Sequence, residues 1–271
     1  MRDLKTIARP WCPWTLRYAY RKLRNLRRDL AEARRFVSHA NARAGRLRRL
    51  HLVWRCYRIS YAVDCQHSEG EILRVMDAVL AHAGSEPSVI VEAGAYKGGS
   101  TAKLSLAASL SNRLLFVFDS FEGMPQHTEN HGKNIFGRAA AFPAGSYRGS
   151  VEEVTAAVSR FGNLEVCRFV KGWFDDTMPR FHEAVAVAYL DVDLRSSTET
   201  CLTYLYPLLV PKGKMFSQDG HLPLILELLT DAAFWTRSLG AVEAPQLVGA
   251  GHSKLIEIPR EELRSVAALA H

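Results

Sequence analysis

The stretch "VIVEAGAYKGGS", residues 89–100, decides the fold. Its apolar run ends in Glu92, and Gly94, Gly98 and Gly99 follow within seven positions. A short apolar run closed by glycine reads as a buried strand turning into a helix. The rhythm continues on both sides. Upstream, "SEGEILRVMDAVLAHA" (68–83) reads as a helix with Ser68 as N-cap and Glu71 completing a capping box. Downstream, helices are expected over 99–110, 150–161 and 196–209, with a single long one over 222–239. Strands are expected over 113–120, 164–172, 183–193, 213–220 and 253–259, and a polar loop over 121–150. Strands alternating with helices predict an α/β fold, a doubly wound, mostly parallel, Rossmann-like sheet covered on both faces.

The chain has 271 residues, 48% of them hydrophobic, enough for one sizeable core or one core plus an appendage. No apolar run approaches the roughly 18 residues of a membrane span, and the N-terminal stretch does not read as a signal peptide. Five cysteines (Cys12, Cys56, Cys65, Cys167, Cys201) form no CxxC pair and read as reduced, packed thiols, which suits a cytoplasmic protein. The net charge of +7 conceals an asymmetry. Residues 1–58 hold 17 Lys and Arg against 3 Asp and Glu, whereas the remainder is acidic. Two regions are therefore expected: a basic amphipathic helical extension, 1–58, and a globular domain, 59–271.

Within the extension, Cys12, Leu16, Ala19, Leu23, Leu26, Leu30, Ala33 and Val37 recur at helical spacing amid arginines. Pro10 and Pro13 suit a helix start, and Trp11 and Trp14 load its first turns with aromatics. Gly45 interrupts the pattern, and Leu47, Leu50, Val53, Trp54 and Tyr57 begin a second stretch. Three readings fit the stripe. It packs on its own domain or on a second copy in a homo-oligomer. It lies peripherally on an anionic membrane surface. Or it is a phosphate-binding arm for nucleic acid.

In a doubly wound sheet, ligands sit beyond the carboxyl ends of the strands. Residues 89–100 lie at such an end. The spacing of Glu92, Gly94 and Gly98 is ExGxxxG, not the GxGxxG of a dinucleotide site. It suits a ligand without pyrophosphate, such as S-adenosylmethionine. A strand-end carboxylate pairs with its ammonium, and bare backbone at Gly94 lets it lie against the chain. Asp119 ends the next strand and is placed to accept from ribose hydroxyls. Asp191 and Asp193 in "YLDVDL" and Asp219 in "FSQDGH" close two later strands. Converging hard oxygen donors suit Mg²⁺, which would lower the pKa of a substrate hydroxyl. On the other reading Asp193 merely caps the following helix. Asp191 and His221 are the candidate catalytic residues, His221 as general base. His127 and His131 read as substrate-facing loop residues.

"VEAGAYKGGS", "VFDSFEGMP", "VKGWFDDTMP" and "YLDVDLRSSTETCLTYLYPLLVPKG" together resemble the macrocin O-methyltransferase (TylF-like) family, from about Tyr61 to Pro259. The resemblance implies a class I methyltransferase domain and Mg²⁺-assisted methylation of a sugar hydroxyl on a glycoside, glycolipid or natural product. It implies Glu92, Gly94, Gly98 and Ser100 around the methionine part of the donor, and Asp119 with Ser120 at the ribose. Gly172, Trp173 and Phe174 would lie near the adenine, and Asp191 and Asp219 would bind the metal. Two positions depart from the family pattern: Gly220 stands where a second acid is usual, and Arg195 where a tyrosine is. Arg195 is expected to hold an anionic acceptor. Two rival readings are a non-catalytic S-adenosylmethionine-binding assembly protein and a nucleic-acid methyltransferase using the basic arm.

Overall fold

The computed structural model describes residues 14–82 and 86–261. Cys12, Trp11 and both prolines of the expected helix start lie outside the described residues. Helix α1 (Trp14–Ser38) is followed by α2 (Arg46–Ala62), with Gly45 at the N-cap of α2. The boundary drawn at 58/59 falls inside α2. Helix α3 (Glu69–Ala81) opens on the expected capping box: Ser68 Oγ accepts from Glu71 N, and Glu71 Oε2 accepts from Ser68 N. Then follow β1 (Val89–Ala93), α4 (Gly99–Leu110), β2 (Leu115–Asp119), α5 (Val151–Phe161), β3 (Cys167–Lys171) and the short α6 (Phe174–Thr177). The chain continues through β4 (Val185–Leu190), α7 (Arg195–Leu205), β5 (Leu209–Ser217), α8 (Pro223–Thr230) and β6 (Ile256–Pro259).

The six strands form one sheet in the order β3-β2-β1-β4-β5-β6, parallel except for β6. Alternation along the strands sends side chains to two apolar layers. Ile90 and Tyr189 join the layer under α3 and α4, with Ile72, Met76 and Leu104. Val91, Ala93 and Leu190 join the opposite layer, with Cys201, Ile225 and Trp235. The order reverses between β1 and β4, which opens a crevice at their carboxyl ends.

The helix expected over 222–239 is broken. α8 stops at Thr230, Asp231 Oδ1 accepts from Ala233 N, and a wider turn runs over Phe234–Ser238. The Trp235 indole donates to Leu229 O at 2.8 Å, so a fully buried ring ties the second segment back on the first. The last strand likewise covers 256–259 and not 253–259.

Helix α1 packs on its own domain, though of the expected stripe only Ala33 is buried among the described residues, and the leucines are not. Asp29, Ala33 and Phe36 are buried, while Leu23, Leu26 and Leu30 stay 74%, 44% and 45% exposed. Polar contacts decide that orientation. Asp29 Oδ1 accepts from Gly70 N at the start of α3, and Arg28 donates to Ser253 Oγ. The buried Arg49 of α2 bridges Phe36 O and Asp77 and lies over the Phe36 ring. Cys56, Cys65, Cys167 and Cys201 are buried, and none of the four is in a disulfide. Among the described residues no helix is long and apolar enough to cross a membrane.

Candidate active site

A cavity of about 510 Å³ opens at the carboxyl edge of the sheet. Of the residues singled out in the sequence, Gly94, Ser100, Asp119, Ser120, His127, Gly172, Trp173, Phe174, Asp191, Asp193 and His221 line it. Glu92, Gly98, His131, Asp219 and Arg195 do not.

The β1 end is shaped by close approach. Gly94 has φ +90°, and a Cβ there would lie 2.1 Å from Asp191 O. No L side chain fits where these two strand ends meet. Asp119 then organises the loop: its Oδ2 accepts from Ala95 N at 2.6 Å and Tyr96 N at 3.4 Å, and its Oδ1 from Phe121 N at 2.6 Å. Burial raises the Asp119 pKa, and these amides oppose the rise. Glu92 turns from β1 into the layer under α4, where it is fully buried beside the Ser100 and Thr101 hydroxyls. Burial pushes its carboxyl up to about 8, the Ser100 and Thr101 hydroxyls working against that and Asp191 and Asp119 adding to it. At neutral pH it is mostly protonated.

At the β4–β5 end, carboxylate oxygens of Asp191, Asp193 and Asp219 lie within 4.8 Å of one another. Asp219 is buried, and its Oδ2 accepts from Val192 N and Asp193 N, both at 2.9 Å. These bonds hold Asp193 at φ +60°, a strained conformation outside glycine. Burial pushes Asp191 up to about 7, with Asp219 adding and Lys254 opposing. Burial and both neighbouring acids hold Asp193 well above the usual carboxylate range. Tyr189 Oη donates toward Asp191 Oδ2.

Several contributors escaped sequence reading. Lys254 lines the cavity, and its charge pulls down all three acids and His221. Glu129, from the long loop, accepts from Arg195 N and Ser196 N at the start of α7. Glu129 is thus the cap of that helix, and Asp193 is not; Leu194 occupies the N-cap without a side-chain bond. His131 Nε2 donates to Asp193 O at 3.0 Å, while His127 donates to Phe142 O. The His221 ring stacks near Phe136, and burial, Lys254 and His131 push its pKa down to about 3. Gly220 donates to Lys254 O, and a Cβ there would lie 2.3 Å from Ile256 Cγ1. The space an acid would need at 220 is filled by β6.

Strand order, cavity position and strand-end acids together define a class I methyltransferase fold. The solved O-methyltransferase NovP superposes with a TM-score of 0.54 at 24% identity, covering 70% of this chain and 79% of that one. A Bacillus cereus O-methyltransferase in complex with SAH superposes at 0.51 and 10% identity, over 78% and 91%. At those identities the likeness is one of fold. Residues 58–223 match the Macrocin-O-methyltransferase (TylF) family, and the chain belongs to it. Mycinamicin III 3''-O-methyltransferase of Micromonospora griseorubida is 31% identical over 153 residues, 52% of this chain and 58% of that protein. A tetracenomycin-C rhamnosyl 4'-O-methyltransferase of Streptomyces olivaceus is 35% identical over 139 residues, 49% and 53%. The chain thus spans a little over half the length of the curated relatives it matches.

Proposed function

We propose that this chain methylates a sugar hydroxyl of a glycoside, glycolipid or natural product, with S-adenosylmethionine as donor. The observation that carries the reading is one cavity with two unlike acid settings: an amide-bonded Asp119 beside Gly94, and a crowded corner where Asp191 and Asp193 face the cavity with Asp219 behind them. The first suits a ligand's hydroxyls, the second a group that gives up a proton.

Donor binding is assigned to Gly94, Ser100, Asp119 and Ser120, with Gly172, Trp173 and Phe174 against the adenine. When bound, the donor supplies a methyl on a cationic sulfur. Gly98 keeps a turn role and Glu92 a buried one beneath Ser100. Asp193 Oδ takes the proton of the acceptor hydroxyl. Asp193 faces the cavity, whereas the His221 imidazole is pushed down to about 3 by burial and by Lys254 and His131, which removes it as a base. His221 is neutral in that setting and orients the acceptor by hydrogen bonding. Tyr96 and Tyr147, ring centroids 5.6 Å apart, help wall off water.

The acids of this corner fit a hard divalent cation in chemistry and spacing. Asp191 and Asp219 would hold Mg²⁺, which would supply Lewis acidity at the acceptor oxygen and leave Asp193 to take the proton. Lys254 already offers positive charge there. Transfer of labelled methyl to a panel of deoxysugar glycosides tests the proposal. Absence of any heat or thermal shift with the donor at millimolar concentration would sink it.

A further inference from the structure

Helix α2 carries two apolar stripes. The inner one, Leu52, Cys56 and Ile59, is buried against the domain. The outer one runs Leu47, Leu50, Trp54, Tyr61 at helical spacing, and these side chains are 84%, 57%, 50% and 61% exposed. A helix apolar on both faces expects a cover on each. The charges on the outer face are all of one sign. The 17 residues of α2 include no Asp or Glu. Arg49 turns inward to Asp77, while Arg46, Arg48 and Arg58 stay exposed. Beside Trp54, a shallow pocket of about 200 Å³ is lined by His51, Arg55, Arg58, Arg160 and Phe161, without a carboxylate. Arg58 lies over the Trp54 ring and Arg160 over Phe161.

The chemistry selects among occupants. An isologous second copy would bring arginine against arginine. A nucleic acid would satisfy the arginines and leave Leu47 and Leu50 in water. An anionic bilayer answers both at once: aromatic and leucine side chains enter the interfacial layer, and guanidinium groups meet lipid phosphates. We propose that the outer face of α2 lies on an anionic phospholipid surface, with Leu47, Leu50 and Trp54 inserted and Arg58 and Arg160 on phosphates. Leu23, Leu26 and Leu30 of α1 form a second exposed ridge, which the proposal does not need.

The test is co-sedimentation of the full chain with phosphatidylcholine vesicles, with and without phosphatidylglycerol. The chain should pellet with the mixed vesicles, less so in high salt, and stay in solution with phosphatidylcholine alone. Arg58→Gln with Arg160→Gln should weaken partitioning about fivefold per arginine removed. Leu47→Glu with Leu50→Glu should abolish it. Circular dichroism and thermal melting verify that these surface variants fold. Three results would overturn the proposal. One is no pelleting, or pelleting indifferent to both double variants. Another is a dimer in light scattering that Leu50→Glu dissolves. The third is RNA binding tighter than vesicle binding.

Discussion

Asp119 and Asp219 occupy matching places on the two halves of the sheet. Each stands at the end of a strand flanking the central pair, Asp119 on β2 and Asp219 just past β5. Each spends Oδ2 on two consecutive amides of the loop after the inner strand: Ala95 and Tyr96 in one case, Val192 and Asp193 in the other. The surroundings differ. The second oxygen of Asp119 takes a further amide, from Phe121, whereas Asp219 shares its corner with two more acids. The same backbone clamp is therefore built once in a relaxed setting and once in a charge-crowded one. Amides satisfy a carboxylate without changing its charge. Crowded carboxylates need a cation or a proton, and that need makes the β4–β5 corner the place for chemistry.

The comparison is broken most directly at Asp193. Asp193→Asn removes a proton acceptor and leaves the backbone amide that Asp219 clamps. Turnover should fall by about 10²–10⁴-fold, with donor affinity by calorimetry unchanged. Preserved turnover would move the chemistry elsewhere. Asp119→Ala should act in the opposite way. The Ala95, Tyr96 and Phe121 amides lose their acceptor, so donor affinity should fall about a hundredfold, alongside a stability loss of roughly 1–3 kcal/mol in denaturant unfolding. If donor affinity survives, the two clamps are only structural.

How each half could be read from sequence follows from the same contrast. The β1–β2 half is local: strand, acid, glycine turn and helix lie within residues 89–120, and Gly94 is demanded by a strand contact that any such sheet makes. The capping box at Ser68 was equally local. The β4–β5 half is assembled from afar. Glu129 reaches α7 across 66 positions, His131 meets Asp193 across 62, and Lys254 arrives from the segment before β6. No spacing rule reports such contacts. Nor does a helical stripe tell which face of α1 will pack, since Asp29 and Phe36 overruled the leucines by bonding and burial. The helix over 222–239 failed because an internal Asp-capped turn outweighed a continuous apolar pattern.

Lys254→Met sharpens the comparison further. It removes positive charge from the crowded half and leaves the relaxed half alone. A unit charge a few ångströms away is worth on the order of 1 kcal/mol or more in partly screened surroundings. Mn²⁺, used as a spin probe for the divalent site, should therefore bind about tenfold tighter to Lys254→Met, with unchanged donor affinity. Equal Mn²⁺ affinity in both proteins would show that the ammonium does not answer the acids.

The effect furthest from turnover belongs to Glu92, the buried acid of the relaxed half, and it appears in stability. Its carboxyl is raised from an ordinary 4.5 to about 8 by burial. The folded state therefore holds a proton that the unfolded state releases between those values. The associated stability is complete below pH 4.5 and is lost as pH rises through 8. At about 1.4 kcal/mol per unit, the loss amounts to a few kcal/mol. Glu92→Gln keeps the shape and has no proton to lose. Its urea midpoint should match the parent near pH 4.5 and exceed it near pH 9. A parent protein that gained stability across that window would instead hold Glu92 ionised against a cationic partner, and the β1 edge would then be a second site of charge.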